Sequence, residues 1–204
     1  MLISANIATT GRRPEQLKRT IKSLIKQVDV IRVYDNSKNE DLTDNAKFWG
    51  LNHLTEDEYY FTCDDDLIYP PDYVQHTLKA INKFKSIITY HGRILKDREL
   101  YYKADHTQFR FNQSADKFFL LNVAGTGCTA FDTRYFKPII HNSEYKRMSD
   151  LVFSLEAKKQ NKLIILPPHE GNWIKEQVVE DSIYQTEVKG TQENQVKLMK
   201  QIYG

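Results

Sequence analysis

Apolar positions recur along the chain in two alternating rhythms. Residues 2–8, LISANIA, form a short isoleucine-rich run closed by Thr9-Thr10-Gly11, which predicts a buried strand entering a loop. Pro14 suits the first turn of a helix, and Leu17, Ile21, Leu24 and Val28 return at helical spacing on one face. Residues 30–34 predict a second strand that stops at Asp35-Asn36. Strand, helix and strand in that order predict a parallel pair joined by a right-handed crossover.

A polar segment, 37–58, follows, with a short helix expected around 44–49. Residues 59–63 predict a third strand. Pro70-Pro71-Asp72 opens a second amphipathic helix carrying Val74, Leu78, Ile81 and Phe84, and residues 86–90 predict a fourth strand. Beyond Gly92 the rhythm loosens. Residues 99–119 are aromatic and charged, and their YYK and FRF stretches suggest antiparallel strands or a hairpin. The small-residue loop NVAGTGCTAF (122–131) leads into a further strand. A helix over 149–160, a strand over 163–166 and a closing helix over 194–203 complete the pattern, without internal repeats or low-complexity linkers. The expected fold is α/β, with a mostly parallel sheet whose ligands gather at the carboxyl ends of the strands.

At 204 residues the chain is long enough to bury one core, so a single domain spanning 1–204 is expected. The net charge of +2 argues against a polyanion binder, and no direct nucleic-acid binding is expected. Lys158, Lys159 and Lys162 then belong to a solvated face. Cys63 and Cys128 make neither a disulfide framework nor a zinc pattern, which favours a reducing compartment. No apolar run approaches the roughly 20 residues of a membrane span, and the start lacks a signal-peptide core, so a cytoplasmic location is expected. Asn112-Gln113-Ser114 matches a glycosylation sequon, which is taken as chance without a secretion signal.

The candidate chemistry centres on YYFTCDDDLIYPPDY, residues 59–73, where Asp64, Asp65 and Asp66 follow an apolar strand. Like charges so close cost free energy unless a cation or positive side chains offset them. Asp64 and Asp66 can project from a turn at the strand end and grip a hard divalent ion, magnesium or manganese, through oxygen ligands. Such an ion keeps positions open for phosphate oxygens, so a nucleoside diphosphate is a natural companion. The plainer alternative is that these acids, or Asp72 alone, serve the positive end of the helix behind them. An EF-hand is excluded, since the sixth position from Asp64 is Tyr69 and the twelfth is Gln75. A haloacid-dehalogenase-like phosphatase or a nucleotidyltransferase is the enzymatic rival. A metal-dependent carbohydrate-binding module is the non-enzymatic one.

Taken in order, NIATTGRRPEQLKRTIKSL, VYDN, FTCDDDLIYPPDYV, AGTGCTAF and SDLVFSL resemble the nucleotide-sugar glycosyltransferases of GT-A type, family two, including small virus-encoded or bacterial members. The resemblance covers most of residues 1 to 170. It implies a Rossmann-like GT-A domain with a small antiparallel addition to its sheet, a nucleotide-binding half at 1–95, an acceptor-side half at 96–204, and a DXD motif in the DDD segment. Thr9 and Arg13 would lie beside the nucleotide and Asp35 would accept a hydrogen bond from a uracil-like base. Asp64 and Asp66 would flank the ribose and the metal, with Asp65 on the donor side. As single residues, Arg13 reads equally as a surface charge and Asp35 as a turn former.

The resemblance also implies that Asp150, at the start of a late helix, is the general base of an inverting transfer. Ser149 stands where relatives often carry a glutamate, and the alternative is that Ser149 caps the helix while Asp150 favours its positive end. His169, by similarity, would be a third metal ligand or a diphosphate contact; alone it reads as a loop residue, and Glu170 is a weaker choice. Gly125, Thr126 and Gly127 would offer backbone amides to the sugar, or form a plain tight turn, and Arg93, with His91 and Gly92, would meet the donor. Tyr101, Tyr102, Phe109, Trp173 and Tyr184 supply aromatic faces for a carbohydrate, unless core packing claims them. The expectation is a metal-dependent transfer of sugar from a UDP-linked donor to a glycan or other hydroxyl acceptor.

Overall fold

The computed structural model describes residues 1–96, 106–140, 145–178 and 192–203. Strand β1 (Leu2–Thr9), helix α1 (Pro14–Leu24) and strand β2 (Val30–Asp35) form the opening unit, with β1 and β2 parallel. Pro14 sits in the first turn, where its missing N–H costs nothing. The helix stops short of Val28, as the Gln27 N–H folds back onto the Leu24 carbonyl. The polar segment then forms a 3-10 helix, Thr43–His53, instead of a short helix at 44–49. Eleven residues is long for that geometry.

Strand β3 (Glu58–Asp64) brings the first of the three acids to its last position. Strand β4 (Leu67–Ile68) precedes α2 (Tyr73–Phe84), which ends at Lys85 in a left-handed conformation whose N–H closes on Ile81. There follow β5 (Ile87–Thr89), β6 (Gly92–Leu95), β7 (His106–Phe109), β8 (Phe119–Leu121), β9 (Val123–Ala124) and β10 (Cys128–Asp132). Helix α3 (Ser149–Lys159), β11 (Ile164–Leu166), β12 (Lys175–Glu176) and helix α4 (Gln192–Tyr203) complete the order. The two-residue strands β4 and β12 pair with each other and carry no periodic signal in the sequence. Of the hairpin expected over 99–119, β7 pairs antiparallel with β6, while residues 99–105 lie outside the described residues.

The main sheet has seven strands in the order β2-β1-β3-β10-β5-β11-β8. Strands β1, β2, β3, β5 and β11 run one way, and β10 and β8 run against them. The sheet is therefore mostly parallel, and β7-β6-β9 form the small antiparallel addition. Because side chains alternate across a strand, consecutive residues feed opposite cores. Tyr60, Phe131 and Ile164 pack on the side of α3 and α4, while Phe61, Ala130 and Ile165 pack on the side of α1 and α2. Apolar burial on both faces of one sheet fixes its register, since a one-residue slip would exchange the faces.

At the amino-terminal end of these strands Glu58 is buried, at 1% exposure, and accepts a forked contact from Arg32: Nη1 to Oε1 at 2.7 Å and Nη2 to Oε2 at 3.0 Å. The pair joins β2 to β3 across β1. Replacing Arg32 by methionine leaves that carboxylate buried without its cation and is expected to cost about 3 kcal/mol of unfolding free energy. Urea denaturation measures it; a loss under about 0.5 kcal/mol, the size of an ordinary surface substitution, would show the pair to be incidental.

Candidate active site

The carboxyl ends of β1, β2, β3 and β5 open onto one edge of the sheet, and the antiparallel β10 starts at the same edge, so loops far apart in sequence meet there. Three carboxylates leave the end of β3. Asp64 Oδ1 is paired with the ammonium of Lys47, which the 3-10 helix delivers from a buried position. Asp65 Oδ2 accepts the Thr9 hydroxyl at 2.6 Å, at the end of β1. Asp66 Oδ2 accepts Arg13 Nη1 at 2.9 Å, and the same nitrogen lies 3.8 Å from Asp65 Oδ1. Arg13 stands at the cap position of α1, so the loop after β1 places Thr9 and Arg13 together on the acids. Among the described residues, the positive charge beside these three adjacent acids comes from Lys47 and Arg13.

Among the described residues, two cations face three anions. Burial, and then the charges of Asp64 and Asp65, push the Asp66 carboxyl up to about 7. Burial also raises Asp65, against the Thr9 hydrogen bond. For Lys47, burial works against the charged form, yet the charge and hydrogen bond of Asp64, helped by Asp44 and Asp150, outweigh it and hold the ammonium protonated. Among the described residues, Asp64 Oδ2 and Asp66 Oδ1 accept no hydrogen bond. Lys47 and Arg13 thus take one oxygen each of Asp64 and Asp66, and the carboxylate oxygens left open are of the kind that would hold a hard divalent cation. Among the described residues no group of three His, Cys, Asp or Glu side chains could hold a metal.

The loop before β10 closes the other side. A Cβ on Gly127 would lie 2.1 Å from Asp64 Oδ2, so only glycine lets this loop approach the carboxylate. The Gly127 carbonyl accepts the Asp64 N–H at 3.2 Å and the Tyr69 hydroxyl at 2.5 Å. Gly125 faces His91, whose ring would stand 2.4 Å from an added Cβ. Thr126 gives its N–H and its hydroxyl to Asp150 Oδ1, at 2.8 and 2.7 Å. Asp150 is thus anchored through one oxygen, and its Oδ2 accepts no hydrogen bond among the described residues. Ser149 is not the cap of α3: it is the first helical residue, and its N–H and hydroxyl go to Asp44 Oδ2. Burial holds the His91 imidazole below its usual range, with Asp150 and Asp64 pulling the other way and buried Arg93 adding to the depression.

Thr9, Arg13, Asp64, Asp65, Asp66, Gly125, Thr126, Gly127 and Asp150 therefore converge, with Arg93 beside them through His91. Asp35 stands next to Thr9 in the sheet but is committed to its own turn, accepting the Ser37 hydroxyl and N–H and pairing with Lys38; those hydrogen bonds and the Lys38 charge lower its carboxyl. His169 is not brought to the acids. Its Nδ1 contacts the Pro167 carbonyl at 2.9 Å, its ring packs edge-on against Tyr90, and burial lowers its basicity. Asp72 stands at the cap position of α2 but makes no side-chain cap bond; its Oδ1 accepts Trp173 Nε1 at 3.1 Å. Trp173 packs against Tyr90 and Phe109 against Phe119, so core packing claims both, while Tyr101, Tyr102 and Tyr184 lie outside the described residues. Lys47 and Asp44 are the members that sequence reasoning misses. The available signal was Lys47 itself, a lysine between residues that bury on either side of it.

The family model described as glycosyl transferase family 2 matches residues 17–141, more than half of the chain. The chain belongs to that family. Comparison with curated proteins finds no match. Among solved structures, A197 from STIV is similar over 88% of this chain and 87% of its own, at 12% identity and a TM-score of 0.49. The inositol-1-phosphate CTP transferase from T. maritima is similar over 99% of this chain and 96% of its own, at 12% identity and a TM-score of 0.45. No described helix is long and apolar enough to cross a membrane.

The state of Asp66 has a measurable consequence. In the native chain its carboxyl keeps a proton up to about pH 7, whereas an unfolded aspartate releases it near pH 4. Between those values the native state binds more protons than the unfolded state, so stability falls as pH rises through the window. Relative to the Asp66→Asn variant, the wild type should lose on the order of 1–3 kcal/mol from pH 4 to 7 in denaturant titrations. Parallel pH curves for the two proteins would contradict the crowding of charge at this position.

Proposed function

We propose that the protein transfers a sugar from a nucleotide-diphosphate donor, UDP-linked, to a hydroxyl acceptor with inversion at the anomeric carbon. Family membership supports the transferase class. The observation that carries the finer reading is the meeting of two unlike carboxylate groups on one crevice. Asp64, Asp65 and Asp66 form a crowded acidic cluster with cationic partners, and Asp150 is a single carboxylate held by one oxygen and open at the other.

In this reading Asp64 and Asp66 hold manganese or magnesium, which when bound neutralises charge on the donor's diphosphate. Arg13 adds a fixed positive charge beside that position, aimed where charge develops as the sugar–phosphate bond breaks and its electron pair leaves with the diphosphate. The loop through Gly125, Thr126 and Gly127 approaches the sugar with its backbone, although the N–H groups of Gly125 and Thr126 are already given to the His91 carbonyl and to Asp150 Oδ1. Asp150 Oδ2 takes the acceptor's hydroxyl proton as the acceptor oxygen bonds to the anomeric carbon. Oδ1, fixed by two donors from Thr126, keeps the carboxylate from turning away.

The test is release of UDP from a panel of UDP-sugars, measured with and without sugar acceptors. A transferase releases UDP in an acceptor-dependent way, whereas a phosphatase liberates phosphate and a binding module releases neither. Asp150→Asn should slow turnover by about 100- to 10,000-fold while calorimetry finds the affinity for UDP with manganese unchanged. Undiminished turnover in that variant would remove Asp150 from the chemistry.

A further inference from the structure

The 3-10 helix from Thr43 to His53 touches both carboxylate groups. Lys47 reaches Asp64, and three residues earlier Asp44 reaches the start of α3. Asp44 Oδ2 accepts the Ser149 N–H at 3.0 Å and the Ser149 hydroxyl at 2.7 Å, across 105 residues of chain. Opposite, Asp150 Oδ1 accepts the same two groups from Thr126, and the Ser149 and Thr126 hydroxyl oxygens are 2.8 Å apart. Two carboxylates thus grip one pair of touching hydroxyl residues from either end.

The first N–H groups of a helix have no partner within it, and Met148, at the cap position of α3, supplies no side-chain bond. Asp44 supplies it from another element, and the next residue is Asp150. The seam around this contact is built for a fixed position. Asn45 Nδ2 donates to the Tyr145 carbonyl at 3.2 Å, and the Arg147 N–H donates to the Thr43 hydroxyl at 3.1 Å. Thr43 (φ 57°) and Arg147 (φ 61°) both lie in the left-handed region that side chains with a Cβ disfavour. On its other side the 3-10 helix is pinned by the Tyr60 hydroxyl on the Lys47 carbonyl at 2.8 Å. A Cβ on Gly50 would stand 2.8 Å from Asn6 Oδ1 and 3.0 Å from that hydroxyl, so the segment lies hard against the sheet.

We infer that Asp44 is a positioning residue for Asp150: the 3-10 helix sets the separation of the two carboxylate groups, holding Asp64 through Lys47 and Asp150 through the start of α3. The role in turnover rests on reading Asp150 as the base; the positioning itself does not. Asp44 touches no reacting atom. Its removal leaves a buried helix-terminal N–H unpaired, loosens the first turn of α3 and displaces the carboxylate by the small distances to which transfer rates are sensitive.

The Thr126 amide, bonded to Asp150 Oδ1, reports that displacement without any substrate. In the ¹⁵N-labelled full chain, Asp44→Ala should shift the Thr126 amide resonance as Asp150→Ala does and speed its hydrogen exchange about tenfold or more. Asp44→Asn keeps an acceptor oxygen for Ser149 and should restore both. With the UDP-sugars that turn over, Asp44→Ala should lower kcat about 10- to 100-fold with KM for the donor within about threefold, and should add no loss in the Asp150→Ala background. If Asp44→Ala does not fold, Ser149→Ala keeps the N–H on Asp44 but removes the hydroxyl from both Asp44 and Thr126, and should move the same amide. An unmoved Thr126 amide in the folded variant, or an equal loss of kcat with and without Asp150, would overturn the inference. Full turnover in Asp150→Asn would instead remove the base reading and leave the amide result to decide the positioning.

Discussion

Everything at this site follows from placing three carboxylates in a row where an apolar strand ends. Asp64, Asp65 and Asp66 cannot share that position as free anions, because partial burial weakens the solvent screening that would let them. The chain answers with Lys47 and Arg13, each brought from a different element, and with the Thr9 hydroxyl. Among the described residues the compensation is incomplete, and burial together with the charges of Asp64 and Asp65 raises the Asp66 carboxyl. Lys47, Arg13 and Thr9 keep the acids in place.

The sheet makes the convergence possible. Five parallel strands end on one edge, and β10, running against them, begins there, so its preceding loop faces the loops that follow β1 and β3. Gly127 is the point of contact. Its lack of a Cβ admits Asp64, and its neighbour Thr126 passes the register of that loop to Asp150. The acidic cluster and Asp150 are in this way tied to one loop and one short helix.

Much of this was legible in the sequence. The alternation of isoleucine-rich runs with helical spacing marks β1, α1, β2, β3 and α2, because each buries a face that only one periodicity can present. Asp64 to Asp66, Arg13 and Asp150 were readable because a charge at the end of an apolar element stands out. Lys47 and Asp44 were not, since their meaning lies in partners 17 and 105 residues away and their own segment, a 3-10 helix, has no strong amphipathic period. Asp35 and His169 show the converse. Each sits where a ligand contact is plausible from spacing, but Asp35 is held by Ser37 and Lys38 and His169 by its own loop and Tyr90. Asp72 looked like a helix cap and bonds Trp173 instead, a partner that no local pattern could name.

The most direct measurement is anomalous diffraction from crystals soaked with UDP and manganese. A manganese peak bonded to carboxylate oxygens of Asp64 or Asp66, with the diphosphate on the same ion and close to Arg13, is the expected result. UDP bound elsewhere, or bound with no manganese while Lys47 and Arg13 keep both carboxylates, would contradict the assignment of the acidic cluster.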